Sequence, residues 1–115
     1  STDAVKNMLQ LQSATELHLR LKKEHLLAVA DEIRRGRCNV QRLTLDLVTN
    51  RLMVNEAMSE ATEAIKAVAS AIRLDQNLEY LYLRMHFSDE AGVALAEALT
   101  VNKTLRKITL SVKKL

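Results

Sequence analysis

The chain contains no proline and no tryptophan, two glycines and one cysteine, and aromatic residues make up 3% of its 115 positions. Each shortage excludes something. Without proline and almost without glycine, the loops must be short or borrow helical conformation, because those two residues open most tight turns. A lone cysteine, Cys38, rules out an internal disulfide and offers no thiolate pair for zinc, which suits a reducing compartment, so a cytoplasmic location is expected. The scarcity of aromatics means an aliphatic core. No apolar run approaches the roughly 18 residues of a membrane-spanning helix. The opening STDAVKNMLQ lacks the basic and apolar regions of a signal peptide, so no membrane partner is expected.

What is present is an ordinary globular composition, 48% hydrophobic and 27% charged, of one domain's length. The net charge of +3, from 17 basic and 14 acidic residues, falls short of the clustered basic face of a nucleic-acid binder. Beneath the composition lies a repeat. Four phrases share the form apolar-x-x-apolar-x-apolar-x-apolar: Ala14, Leu17, Leu19, Leu21; Val40, Leu43, Leu45, Leu47; Leu78, Leu81, Leu83, Met85; and Leu105, Ile108, Leu110, Val112. The last three positions of each alternate with polar residues, the period of a strand with one buried face.

Between these strands lie three helical phrases with apolar residues at i, i+3, i+4 and i+7: Leu26, Val29, Ala30, Ile33; Ile65, Val68, Ala69, Ile72; and Gly92, Leu95, Ala96, Leu99. Gly36 and Asn102 stand where a left-handed C-terminal cap is wanted, and Ser88 before Asp89 and Glu90 suits a helix start. Ala4, Val5, Met8 and Leu11 suggest the tail of an earlier helix. Strict alternation of strand and helix implies parallel strands with right-handed crossovers. A doubly wound sheet would bury both strand faces and need continuous apolar runs. The alternate positions here are instead Glu16, His18, Arg20; Arg42, Thr44, Asp46; Tyr80, Tyr82, Arg84; and Lys107, Thr109, Ser111, so one face is wet and a solenoid is expected.

The phrase LAEALTVNKTLRKITL, with its copies VASAIRLDQNLEYLYL and VADEIRRGRCNVQRLTL, resembles the ribonuclease-inhibitor-like class of leucine-rich repeat, as found in NOD-like receptors and in tropomodulin. The resemblance spans the chain and implies an α/β leucine-rich-repeat solenoid of about three to four repeats, with strands concave and helices convex. It also implies a concave surface that docks protein partners. Two departures stand out. The position after each strand, where the family carries a ladder-forming Asn or Cys, holds Lys22, Val48, His86 and Lys113. The interval from Leu45 to Ile72 is also far longer than those from Leu19 to Ile33 or Leu83 to Leu99, which marks an insertion near 49–62 that extends the second helix backwards through Ala61 and Met58. Residues 1–115 are read as a single segment of a longer chain, since the first residue is Ser and the last strand has no helix after it. That uncovered strand would otherwise pair with a second copy.

No phosphate loop, nucleophile elbow or HExxH phrase is present, so no enzyme, cofactor or metal is expected. His18, His25 and His86 lack partners at ligand spacing and are read as solvated or surface-capping, and Cys38 as a half-buried filler. The sequon at Asn102, Lys103, Thr104 coincides with the helix stop and turn that the repeat requires. The basic runs at 22–23, 34–37 and 113–114 lie on different turns without aromatic interleaving, which disfavours a nucleic-acid track. The wet strand face remains. His18, Arg20, Asp46, Tyr80, Tyr82 and Arg84 form the candidate protein-binding surface, the two tyrosines and Arg84 being types that anchor interfaces. The expectation is a protein-interaction module of an intracellular sensor or scaffold. An actin-capping module of tropomodulin type is the first alternative and a nucleic-acid-binding surface the second.

Overall fold

The computed structural model describes residues 15–49 and 53–112. Strands β1 (Glu16–Leu21), β2 (Arg42–Leu47), β3 (Tyr80–Met85) and β4 (Lys107–Val112) alternate with helices α1 (Lys23–Arg34), α2 (Val54–Ile72) and α3 (Asp89–Val101). The four strands form one parallel sheet in chain order, with Leu19 beside Leu45, Leu45 beside Leu83 and Leu83 beside Leu110. Because side chains alternate across a strand, this register places every leucine of the repeat on one face. Helices α1 and α2 pack side by side, as do α2 and α3. The core between helices and sheet joins Leu26, Val29, Ile33, Ile65, Val68 and Ile72 to Leu43, Leu45, Leu47, Leu81, Leu83 and Met85, all buried. Ala14 and residues 3–11 lie outside the described residues.

A single hydrogen-bond device is used three times. The carbonyl of the residue before each of the first three strands accepts two successive N–H groups from the next turn: Thr15 from Gln41 and Arg42, Gln41 from Glu79 and Tyr80, and Glu79 from Arg106 and Lys107, at 2.7 to 3.2 Å. This satisfies the backbone where no proline or glycine turn exists to do so.

The helix ends show one expectation met and one corrected. Gly36 has φ +73, and it donates to the Ile33 carbonyl while Arg37 donates to that of Glu32, each at 3.0 Å, a Schellman cap that requires the left-handed residue. Asn102 is not left-handed; its backbone is extended, at φ −72 and ψ 132. Its side chain closes the turn instead. Nδ2 donates to the carbonyls of Ile72 at 2.7 Å and Asp75 at 3.1 Å on the preceding turn, and Oδ1 accepts from the N–H groups of Thr104 at 2.9 Å and Leu105 at 2.7 Å. A residue that bridges two turns through its side chain has no need of an unusual φ. At the start of α3, Ser88 caps as expected, accepting from Ala91 N–H at 3.2 Å.

Helix α2 runs for 19 residues, against 12 in α1 and 13 in α3. The stripe of α3 is rotated from the expected one. Ala91, Leu95 and Ala98 are buried, whereas Ala96 and Leu99 are exposed and Gly92 is half-buried. No described element covers the outer side of α3 and β4, so Val93, Leu99, Val101, Leu110 and Val112 are all exposed. A Cβ at the half-buried Gly92 would meet the Phe87 ring at 3.4 Å.

Candidate functional site

The sheet face away from the helices carries the alternate residues of all four strands, in three rows. The first holds Glu16, Arg42, Tyr80 and Lys107, the second His18, Thr44, Tyr82 and Thr109, and the third Arg20, Asp46, Arg84 and Ser111. Parallel pairing brings the six expected residues together: His18 shares a row with Tyr82, and Arg20, Asp46 and Arg84 follow one another on successive strands in a second row, with Tyr80 in the remaining row. His18, Arg20, Tyr82 and Arg84 are exposed and Tyr80 is half-buried.

Asp46 departs from expectation. Its residue exposure is 7%, so it is a buried group on a face otherwise open to solvent. It stands on an inner strand, flanked on both sides by longer arginines. Its charge thus lies beneath the open surface of the face.

Reading one residue at a time missed Arg42 and Lys107. The Arg42 guanidinium lies 4.5 Å from the centre of the Tyr80 ring, a cation–π contact that holds both side chains in place. Glu16, Arg42, Thr44, Tyr80, Tyr82 and Lys107 line a shallow depression of about 200 Å³ on this face. The available signal was positional, since Arg42 and Lys107 occupy the same place in their repeats as Tyr80 does in its own.

A second concavity, of about 560 Å³, runs between the first half of α2 and the start of α3, lined by Asn55, Met58, Ser59, Thr62, Lys66 and Glu90 among others. Its walls are tied together: Lys66 bonds Glu90 at 2.8 Å, and the Thr62 and Ser88 hydroxyls are 2.7 Å apart. Hydrogen bonding to Glu90 raises the Lys66 pKa, and hydrogen bonding to Glu63 raises that of Lys23 in the α1–α2 bridge. On α1, hydrogen bonding to Arg34 holds Asp31 below the usual carboxylate range.

The remaining chemistry-bearing groups are structural. Cys38 is fully buried rather than half-buried, and burial pushes its thiol up to about 11, so it is protonated and unreactive at neutral pH. His86, expected at the surface, is 5% exposed. Asn102 commits its amide nitrogen to two carbonyls, which removes it as a glycan acceptor in the folded chain. Asp75 accepts from Asn77 and Leu78 N–H groups through Oδ2, at 3.0 and 2.6 Å, and burial raises its pKa. Among the described residues no cluster of three His, Cys, Asp or Glu side chains is placed to hold a metal, and no helix is long and apolar enough to cross a membrane. No protein-family model matches the chain, and no curated protein matches it either.

Proposed function

We propose that this chain is a leucine-rich-repeat solenoid segment of ribonuclease-inhibitor-like kind that works as a protein-interaction module inside the cell, docking a partner on its strand face and catalysing nothing. The observation that carries the reading is an open sheet face on which Tyr80, Tyr82, Arg42 and Arg84 stand together, while the opposite face of β2 and β3 is buried against the helices. Large aromatic and arginine side chains on a pre-ordered sheet lose little freedom on binding, which makes them effective anchors. The thrice-repeated carbonyl device and the stacking of each unit only on its neighbours support the solenoid. A cationic ribonuclease is a poor fit as partner, because the chain is itself basic.

The test is capture of partners by wild-type protein beside Tyr82→Ala and Arg84→Glu. Loss of the same bound proteins from both variants supports the reading, and capture unaltered by either moves the site elsewhere. One alternative has its own support. The length of α2, with Met53 and Val54 exposed at its start and the larger groove alongside, suits an actin-capping module of tropomodulin type, which co-sedimentation with actin filaments would reveal.

A further inference from the structure

The charges of the strand face differ from those of the helical side in how they are met. On the helical side, Lys23 pairs with Glu63 and Lys66 with Glu90 across neighbouring helices. On the strand face, none of the ion pairs formed among the described residues involves Arg20, Arg42, Arg84 or Lys107. Four fixed cations there stand against two carboxylates, Glu16 at the edge strand and the buried Asp46. Over β3 and its flanks the accessible charge is therefore wholly positive: Arg42 and Lys107 stand on either side of Tyr80, and Arg84 lies two rows further along the same strand.

From this we infer that the strand face binds an extended acidic segment of a partner protein, laid along β3, with two carboxylates four residues apart and an apolar or aromatic residue midway between them. The inference rests on the strand-face reading above and adds the chemistry of the partner. Successive rows are roughly 6.6 Å apart, two strand residues at about 3.3 Å each, so the outer rows are separated by roughly 13 Å. An extended peptide has the same rise, and its residues i, i+2 and i+4 face the sheet at that same spacing. The first carboxylate then sits between Arg42 and Lys107, the middle side chain rests on Tyr82, and the second carboxylate reaches Arg84. Stacking on Tyr80 occupies the flat face of the Arg42 guanidinium and leaves its N–H donors, which lie in the guanidinium plane, for a carboxylate. A nucleic acid fits less well. A duplex carries a charge about every 1.7 Å along its axis, a density that isolated cations interrupted by Glu16 and Asp46 do not match.

A random peptide library displayed on phage is selected on the immobilised protein, and the enriched peptides are measured by fluorescence anisotropy at low and physiological salt. The expected result is enrichment of acidic pairs four apart around an apolar residue, with affinity falling about tenfold or more in Arg84→Glu and in Lys107→Glu and unchanged in Arg73→Glu, at an exposed position just after α2. Both strand-face side chains are exposed, and circular dichroism checks that each variant is folded. Neutral peptides that bind in Arg84→Glu but not in Tyr82→Ala would overturn the acidic partner while leaving the strand face as the site. Peptides that survive all the strand-face changes would overturn both. An equally charged single-stranded DNA that displaces the selected peptides, or the absence of any enrichment, would likewise overturn the inference.

Discussion

At the scale of single residues, two turn positions carry testable consequences. Gly36 has φ +73 with nothing within 4 Å of where a Cβ would stand, so Gly36→Ala meets no clash and its whole cost is the left-handed backbone. That cost is about 1 kcal/mol, which thermal melting should register as a modest fall in Tm. Asp75 has its pKa raised by burial, so its contribution to stability is fully present below the unfolded carboxyl value and is lost as pH rises through the folded one. Asp75→Asn retains an oxygen for the Asn77 and Leu78 N–H groups and carries no charge. Relative to wild type, the variant is expected to be more stable near neutral pH than at about pH 3, as denaturant unfolding at the two pH values would show. Asp75→Ala, which removes the acceptor altogether, should lower stability at both. None of this was visible in the sequence, where Asp75 is one acid among 14. Asn102 was legible as a helix stop but not as a bridge between turns, because a side chain's partners on a preceding turn depend on how the turns stack.

At the scale of elements, the strands were readable and one helix was not. A period-two pattern of leucines leaves a strand no choice of face, since a shift of one residue would turn the whole set outward. Leu45 stands at the centre of that pattern, fully buried between Leu19 and Leu83, so Leu45→Ala should cost about 2–5 kcal/mol in denaturant unfolding. Ser88→Ala removes the cap of α3 and its bond to the Thr62 hydroxyl, with an expected loss of about 1 kcal/mol. The stripe of α3 escaped the sequence because that helix is apolar nearly all round. Gly92, Leu95, Ala96 and Leu99 satisfy a helical period as well as Ala91, Leu95 and Ala98 do. Which set turns inward depends on α2, against which α3 packs.

At the scale of the whole molecule, the two edges and the two faces of the sheet have different fates. Leu110 and Val112, 39% and 59% exposed, lie along an edge whose β4 backbone has no neighbour among the described residues. Such an edge invites another strand. Leu110→Lys with Val112→Lys is expected to reduce concentration-dependent association in sedimentation velocity while leaving the melting temperature little changed, since both side chains are already wet. The open face behaves differently, because its charges, not its apolar area, set what it can hold. The sequence by itself determined the parallel alternation of strand and helix, the leucine face and the three polar rows, because these follow from periodicity and from the handedness of crossovers, which are local. Tertiary structure alone decided that Asp46 is hidden between two arginines, that Arg42 stacks on Tyr80, and that the cations of the strand face stand apart from the ion pairs while Lys23 and Lys66 find acids. These depend on which long side chains from different strands come to stand beside one another, and a distance across the sheet is not written in any one strand.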